Sequence, residues 1–169
     1  KSGNMTESFR LNRLLVLINP ENYASDKGFQ TVQALYAIGS GGLFGKGLGK
    51  SLQKLGYIPE SQNDMIFSII CEEIGLFGAI FVIIVFGVML WRIAHVAQNA
   101  PDLFGTLLVS GVFAHIAIQV VLNIAVVTNF IPNTGVSLPF ISYGGTSETI
   151  LLAEIGLVLN VSSKIRLES

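Results

Sequence analysis

Residues 65–94, MIFSIICEEIGLFGAIFVIIVFGVMLWRIA, decide the fold. A helix of about 20 apolar residues crosses the hydrocarbon of a bilayer, and this run is longer, with no Asp, Glu, Lys or Arg between 74 and 91. Further along, residues 103–147 are equally free of those four residue types, which is too long for one helix. Asn129, Pro132, Asn133, Gly135 and Pro139 break the stretch, so a second span is expected at about 103–128 and an outer loop at 129–141. A third span is expected at about 142–163, interrupted by Glu148 and Glu154 and stopped by Lys164 and Arg166. The expected fold class is thus an all-α polytopic membrane protein: three transmembrane helices within 64–169, preceded by a large loop region at 1–63 that holds a glycine-rich segment.

The composition agrees with lipid as solvent. Only 12% of the 169 residues are charged and 51% are hydrophobic, whereas a soluble domain carries about 25% charged residues. Ten Lys and Arg balance eleven Asp and Glu, so the chain lacks the basic footprint that a nucleic-acid partner requires. A single cysteine, Cys71, allows neither an internal disulfide nor a thiolate zinc cluster. The hydrophilic opening KSGNMTESFR carries no cleavable apolar signal and reads as the interior of a longer chain.

Orientation follows from basic residues near the span ends. Arg92 ends the first span, and Lys164 and Arg166 end the third on the same side, while the 129–147 connection has no Lys or Arg. The C-terminus is therefore expected in the cytoplasm, with residues 1–63 and the 129–141 loop sharing the outer face.

Several residues suggest chemistry. The segment GSGGLFGKGLGKS at 39–51 fails the Walker A pattern, because Phe44 stands where a glycine is needed, yet its glycines and Lys46, Lys50 and Lys54 suit a backbone nest for a pyrophosphate. A solvated connector explains the same residues. Asp64 stands where polar sequence meets the first span, a place for a general base or for a helix N-cap. Glu72 and Glu73 lie inside the span, about 80° and about 180° around the helix from Asp64, so at most one shares its face. They should face protein or water. On the second span His115, Gln119 and Asn123 recur every four residues, a polar stripe suited to interhelical hydrogen bonds.

Taken in order, these motifs resemble the C-terminal half of the SEDS family (shape, elongation, division and sporulation), the group of FtsW, RodA and SpoVE. The resemblance rests on GFQTVQALYAIGSGGLFGKGLGKSLQKLGYIPE at 28–60, NDMIFSIICEEIGLFG at 63–78, NIAVVTNFIPNTGVSLPFISYGGTS at 123–147 and GLVLNVS at 156–162. GLGKSLQKLGYIPE is closer to the FtsW and SpoVE branch than to RodA. Two departures stand out: Asn63-Asp64-Met65 where the family usually has Thr-Asp-Phe, and Glu148 where it has an apolar or small residue.

The resemblance implies a bundle of about ten helices in the bacterial cytoplasmic membrane. It implies a peptidoglycan glycosyltransferase that polymerises lipid II, the undecaprenyl pyrophosphate-linked disaccharide peptide, in cell division or sporulation. Asp64 takes the catalytic position. Lys46, Gln53, Lys54, Glu60 and the turn Ser142, Tyr143, Gly144 and Gly145 become candidates for substrate binding, with a divalent cation such as Mg²⁺ or Mn²⁺ as a candidate helper. A class B penicillin-binding protein and other division proteins are the implied partners. The residues alone also admit a lipid II flippase, in which Glu72, Glu73 and Glu154 would matter most, and a non-catalytic scaffold of the division complex.

Overall fold

The computed structural model of the chain describes residues 29–47, 49 and 64–165. Four helices occupy them: α1 (Phe29–Gly41), α2 (Ile66–Gln98), α3 (Leu103–Val127) and α4 (Gly145–Ser163). α2 packs between α1 and α3, and α4 lies against α3. Two helices, α2 and α3, are long and apolar enough to cross a membrane. α4, with 19 residues and two glutamates, is not one of them.

Local sequence sets the helix ends. α2 stops ahead of Pro101, which can neither donate to the preceding turn nor tolerate a helical residue before it. α3 opens on Asp102, whose carboxylate accepts from the Gly105 amide at 3.2 Å. It closes on Asn129 in the left-handed region (φ 56°), with the Asn129 amide on Val126 O at 2.9 Å and the Phe130 amide on Ala125 O at 2.8 Å. This double bond set is a Schellman stop, and asparagine is one of the few residues that tolerate its geometry.

The interior is small and branched: Ala34, Cys71, Ala79, Phe86 and Ile93 meet Val109, Val112, Ile116 and Val120, with Leu151 and Val158 of α4 closing the far side. Phe81, Ile84, Trp91, Leu107 and Val121 point outward and are exposed. In hydrocarbon such faces cost nothing, and helices associate through close approach of small residues and through polar contacts instead. Gly105 marks one approach, since a Cβ there would lie 3.2 Å from the Val161 side chain.

Three boundaries depart from expectation. α1 is a helix inside the stretch read as loop at 1–63; its buried face is built of Thr31, Val32, Ala34 and Ala37, too small and too short to announce a helix in the sequence. α4 begins at 145 rather than 142, because Ser142 Oγ accepts from the Leu138 amide at 2.7 Å while the Ser142 amide donates to Leu138 O at 3.1 Å, holding 138–142 as a turn. The first span is not one continuous helix: Gly75 has φ 76° and ψ −164°, which breaks α2 into a short arm before it and a 23-residue arm after it. At 1.5 Å per residue the long arm measures about 35 Å, enough alone to cross the hydrocarbon.

Candidate functional site

Asp64, the start of α2, the end of α3 and the 128–144 connection meet at one end of the bundle; Arg92 and Lys164 lie toward the other. Asp64 sits in the turn ahead of α2, half-buried. The N-cap position of α2 falls on Met65, where no side-chain cap bond is made. The Ser68 hydroxyl instead donates back to Met65 O at 2.7 Å. The Asp64 carboxylate faces the connection, and a Cβ built on Gly135 would lie 3.5 Å from Oδ2. Gly135 has φ +71°, a region that favours glycine, and its amide donates to Asn133 Oδ1 at 2.9 Å. Asn133 reaches α1 through Gln30 Oε1 at 3.3 Å. Asn123, fully buried near the end of α3, donates to both Asp64 O and Val136 O at 2.8 Å.

The remaining candidates divide. Ser142 is buried and its hydroxyl oxygen holds the Leu138 turn, whereas Tyr143 next to it is 77% exposed at the mouth of the connection. Gly144 is the N-cap of α4 and Gly145 its first residue. Glu148 falls in the first turn of α4, where the helix dipole favours a carboxylate, so the family departure there is compatible with the helix. Gln53, Lys54 and Glu60 lie outside the described residues.

The glycine-rich loop has a different geometry from a nest. The Lys46 amide donates to Glu72 O at 2.9 Å and the Gly47 amide to Glu73 O at 3.0 Å; in return the Leu76 and Phe77 amides donate to Gly42 O and Leu43 O at 3.0 and 3.4 Å. The break at Gly75 orphans backbone groups of α2, and the loop supplies their partners. Gly45 donates to Gly41 O at 2.8 Å. The amides of Gly45, Lys46 and Gly47 are therefore engaged by protein carbonyls, which displaces the expectation that they cradle an anion. Above this junction the Lys46 ammonium lies 2.8 Å from Oε1 of the fully buried Glu72 carboxylate, with the Ser40 hydroxyl at 3.5 Å. Glu72 is about 12 Å along the helix from Asp64.

Breaking this pair from the lysine side takes the Lys46 ammonium from a buried carboxylate. Lys46→Met is expected to destabilise by somewhat less than the ~3–5 kcal/mol of a fully buried pair, because the Lys46 side chain keeps 33% of its surface exposed. Adding Glu72→Gln removes the buried charge, and the check is whether the double variant recovers the thermal midpoint that the single variant loses in detergent.

The polar stripe on α3 splits by partner. His115 Nδ1 lies 3.0 Å from both Glu154 oxygens of α4, and Gln119 Nε2 lies 3.1 Å from His115 Nε2. One neutral tautomer, with the proton on Nδ1, satisfies both contacts. Glu154 thus serves the α3–α4 interface. Asn123, a turn beyond Gln119, turns to Asp64 instead. Among the described residues no three His, Cys, Asp or Glu side chains converge as a metal site requires.

Residues 3–167 match the model of the FtsW/RodA/SpoVE family, described as cell cycle protein. Stage V sporulation protein E of Bacillus subtilis (strain 168) is 48% identical over 158 residues, covering 94% of this chain and 43% of that protein. The probable peptidoglycan glycosyltransferase FtsW of the same organism is 46% identical over 157 residues, covering 93% and 39%. Among solved structures, a peptidoglycan synthase complex described as coordinating polymerization and crosslinking aligns with a TM-score of 0.72 at 29% identity, over 93% of this chain and 42% of that one. A mutant of the rod shape determining protein RodA of Thermus thermophilus aligns with a TM-score of 0.61 at 36% identity, over 80% and 41%. The chain spans about two fifths of the length of these relatives.

Proposed function

This chain belongs to the FtsW/RodA/SpoVE family of cell cycle proteins, and on that premise we propose that it forms the C-terminal part of a peptidoglycan glycosyltransferase that polymerises lipid II. The observation that carries the reading is the setting of Asp64. Its carboxylate stands ahead of the helix cap, lies against Gly135 of the 128–144 connection, and sits at the boundary where polar chain becomes apolar span. In the proposed reaction Asp64 takes the proton from the 4-hydroxyl of the acceptor sugar as that oxygen attacks the donor's anomeric carbon. The bond to undecaprenyl pyrophosphate breaks, the pyrophosphate carries away the electron pair, and configuration inverts.

Around this centre Tyr143, Gly144, Gly145, Gln53 and Glu60 are proposed to shape the sugar site, and Lys54 and Lys46 to meet the pyrophosphate. Lys46 would have to leave Glu72 to do so. Two of the three carboxylates a flippase would use are paired inside the bundle, Glu72 with Lys46 and Glu154 with His115, which favours the enzyme over the transporter, while Glu73 keeps a buried Oε1 without a hydrogen-bond partner. We further propose three membrane spans, α4 being the third, within a bundle of about ten helices, with a class B penicillin-binding protein as crosslinking partner. The decisive assay is lipid II polymerisation by the full-length protein carrying this chain, reconstituted with that partner; strand synthesis supports the enzyme, and lipid II translocation without strand synthesis overturns it.

The proposed orientation in the cytoplasmic membrane has its own test. A cysteine at exposed Thr134 is expected to react with an impermeant thiol reagent added to intact cells, and one at Gln98 to react only after permeabilisation. Labelling at 98 in intact cells would reverse the topology.

A further inference from the structure

Asn123 is the one residue of the α3 stripe that reaches Asp64. Its side chain is fully buried, and both amide hydrogens are committed: Nδ2 donates to Asp64 O and to Val136 O, each at 2.8 Å. The assignment of nitrogen and oxygen follows from the partners, because two carbonyl oxygens at bonding distance require the donor end of the amide. Val136 follows Gly135, the residue beneath the Asp64 carboxylate. One amide therefore ties the peptide that carries the carboxylate to the peptide the carboxylate faces.

Stability alone is a poor reason for this side chain. Its Oδ1 is buried with no hydrogen-bond partner, which is unfavourable wherever it occurs. The geometry needs two donors on one planar nitrogen at this reach. Ser offers one donor, Asp in its ionised form none, and Gln displaces the nitrogen by a methylene.

We propose that Asn123 is the positioning residue of Asp64: by clamping the Asp64 turn to the 135–136 segment it holds the carboxylate where the acceptor hydroxyl must come. It acts through Asp64 and does not touch the reacting atoms. The proposal rests on the reading of Asp64 as the general base.

The test uses the full-length protein with its crosslinking partner and measures lipid II polymerisation per folded molecule for wild type, Asn123→Ser, Asn123→Asp, Asp64→Asn and the Asp64→Asn/Asn123→Ser double variant. A misplaced base lowers the chemical step by up to about 100-fold and leaves substrate binding alone. The expected result is therefore a 10- to 100-fold fall in kcat for both Asn123 variants, with KM within about twofold. The double variant should be no slower than Asp64→Asn, since residues acting as a unit are not additive.

If Asp64→Asn is inactive but the Asn123 variants keep wild-type kcat, the positioning role is overturned while the base stands. A KM rise at unchanged kcat, or failure of both Asn123 variants to fold, makes the side chain a binding or structural element and equally overturns it. Near-wild-type activity of Asp64→Asn removes the base itself, and this proposal with it.

Discussion

Asp64→Asn in the full-length protein is expected to abolish lipid II polymerisation while leaving expression, thermal midpoint and partner association near wild type. Removing a general base typically costs 10²- to 10⁴-fold in rate, the largest single effect expected at this end of the bundle. Asn is the informative replacement because it keeps the size of the side chain and an acceptor oxygen but cannot take up a proton. The N-cap position of α2 falls on Met65, and Asn serves as a capping acceptor as well as Asp does, so the substitution leaves the helix end intact. A large rate loss without a stability loss therefore isolates the chemistry. Glu72→Gln makes the contrast: its carboxylate is wholly buried against Lys46, and activity should fall only as folded protein falls. Polymerisation by Asp64→Asn at close to the wild-type rate would refute the assignment.

The placement of Asp64 was legible in the sequence, and the reason is physical. Hydrocarbon excludes ionised side chains so strongly that charge-free runs mark α2 and α3 almost directly, and antiparallel spans then put Asp64 and the 129–141 segment at the same end. Asn129 and its prolines announced the stop after α3 because so few residues accept a left-handed turn. Backbone partners left no such trace. The positive φ angles that the glycine-rich segment suggested are present at Gly42, Gly45, Gly47 and Gly49, but an amide freed by such a turn looks the same in sequence whether it meets a pyrophosphate or a carbonyl of α2. Here Glu72 O and Glu73 O take two of them. Nor does a single glycine in EEIGLFG reveal a break, since Gly78 three residues on has no positive φ and lies inside the same helix. The role of Asn123 was half visible: its four-residue spacing from Gln119 marked a polar stripe, and only the tertiary approach of the Asp64 turn separates it from its two neighbours.

If the loop and the broken helix are one interlocked backbone unit, alanine replacements at its glycines should fall into a graded series set by space and φ together. Gly75 has φ +76°, and a Cβ there would overlap the Gly45 amide and lie 2.6 Å from Leu43 O. Gly45 has φ +75°, and its Cβ would overlap Glu73 O. Both neighbours are backbone, which cannot rotate away, and moving them breaks the reciprocal bonds that satisfy Lys46, Gly47, Leu76 and Phe77. Gly75→Ala and Gly45→Ala are therefore expected at the top of the range for single substitutions, above about 4 kcal/mol, with little monodisperse protein recovered in detergent. Gly42→Ala shares a positive φ of +56° but meets nothing within 4 Å, so it should cost only the left-handed penalty of roughly 1–2 kcal/mol. Gly39 lies in α1 with equally open surroundings, and Gly39→Ala should stabilise by about 0.5–1 kcal/mol through helix propensity. Thermal midpoints of the four variants in the full-length protein give the order directly. A Gly75→Ala midpoint equal to that of Gly42→Ala would mean that the loop does not lie against the break, and the glycines would return to being a solvated connector.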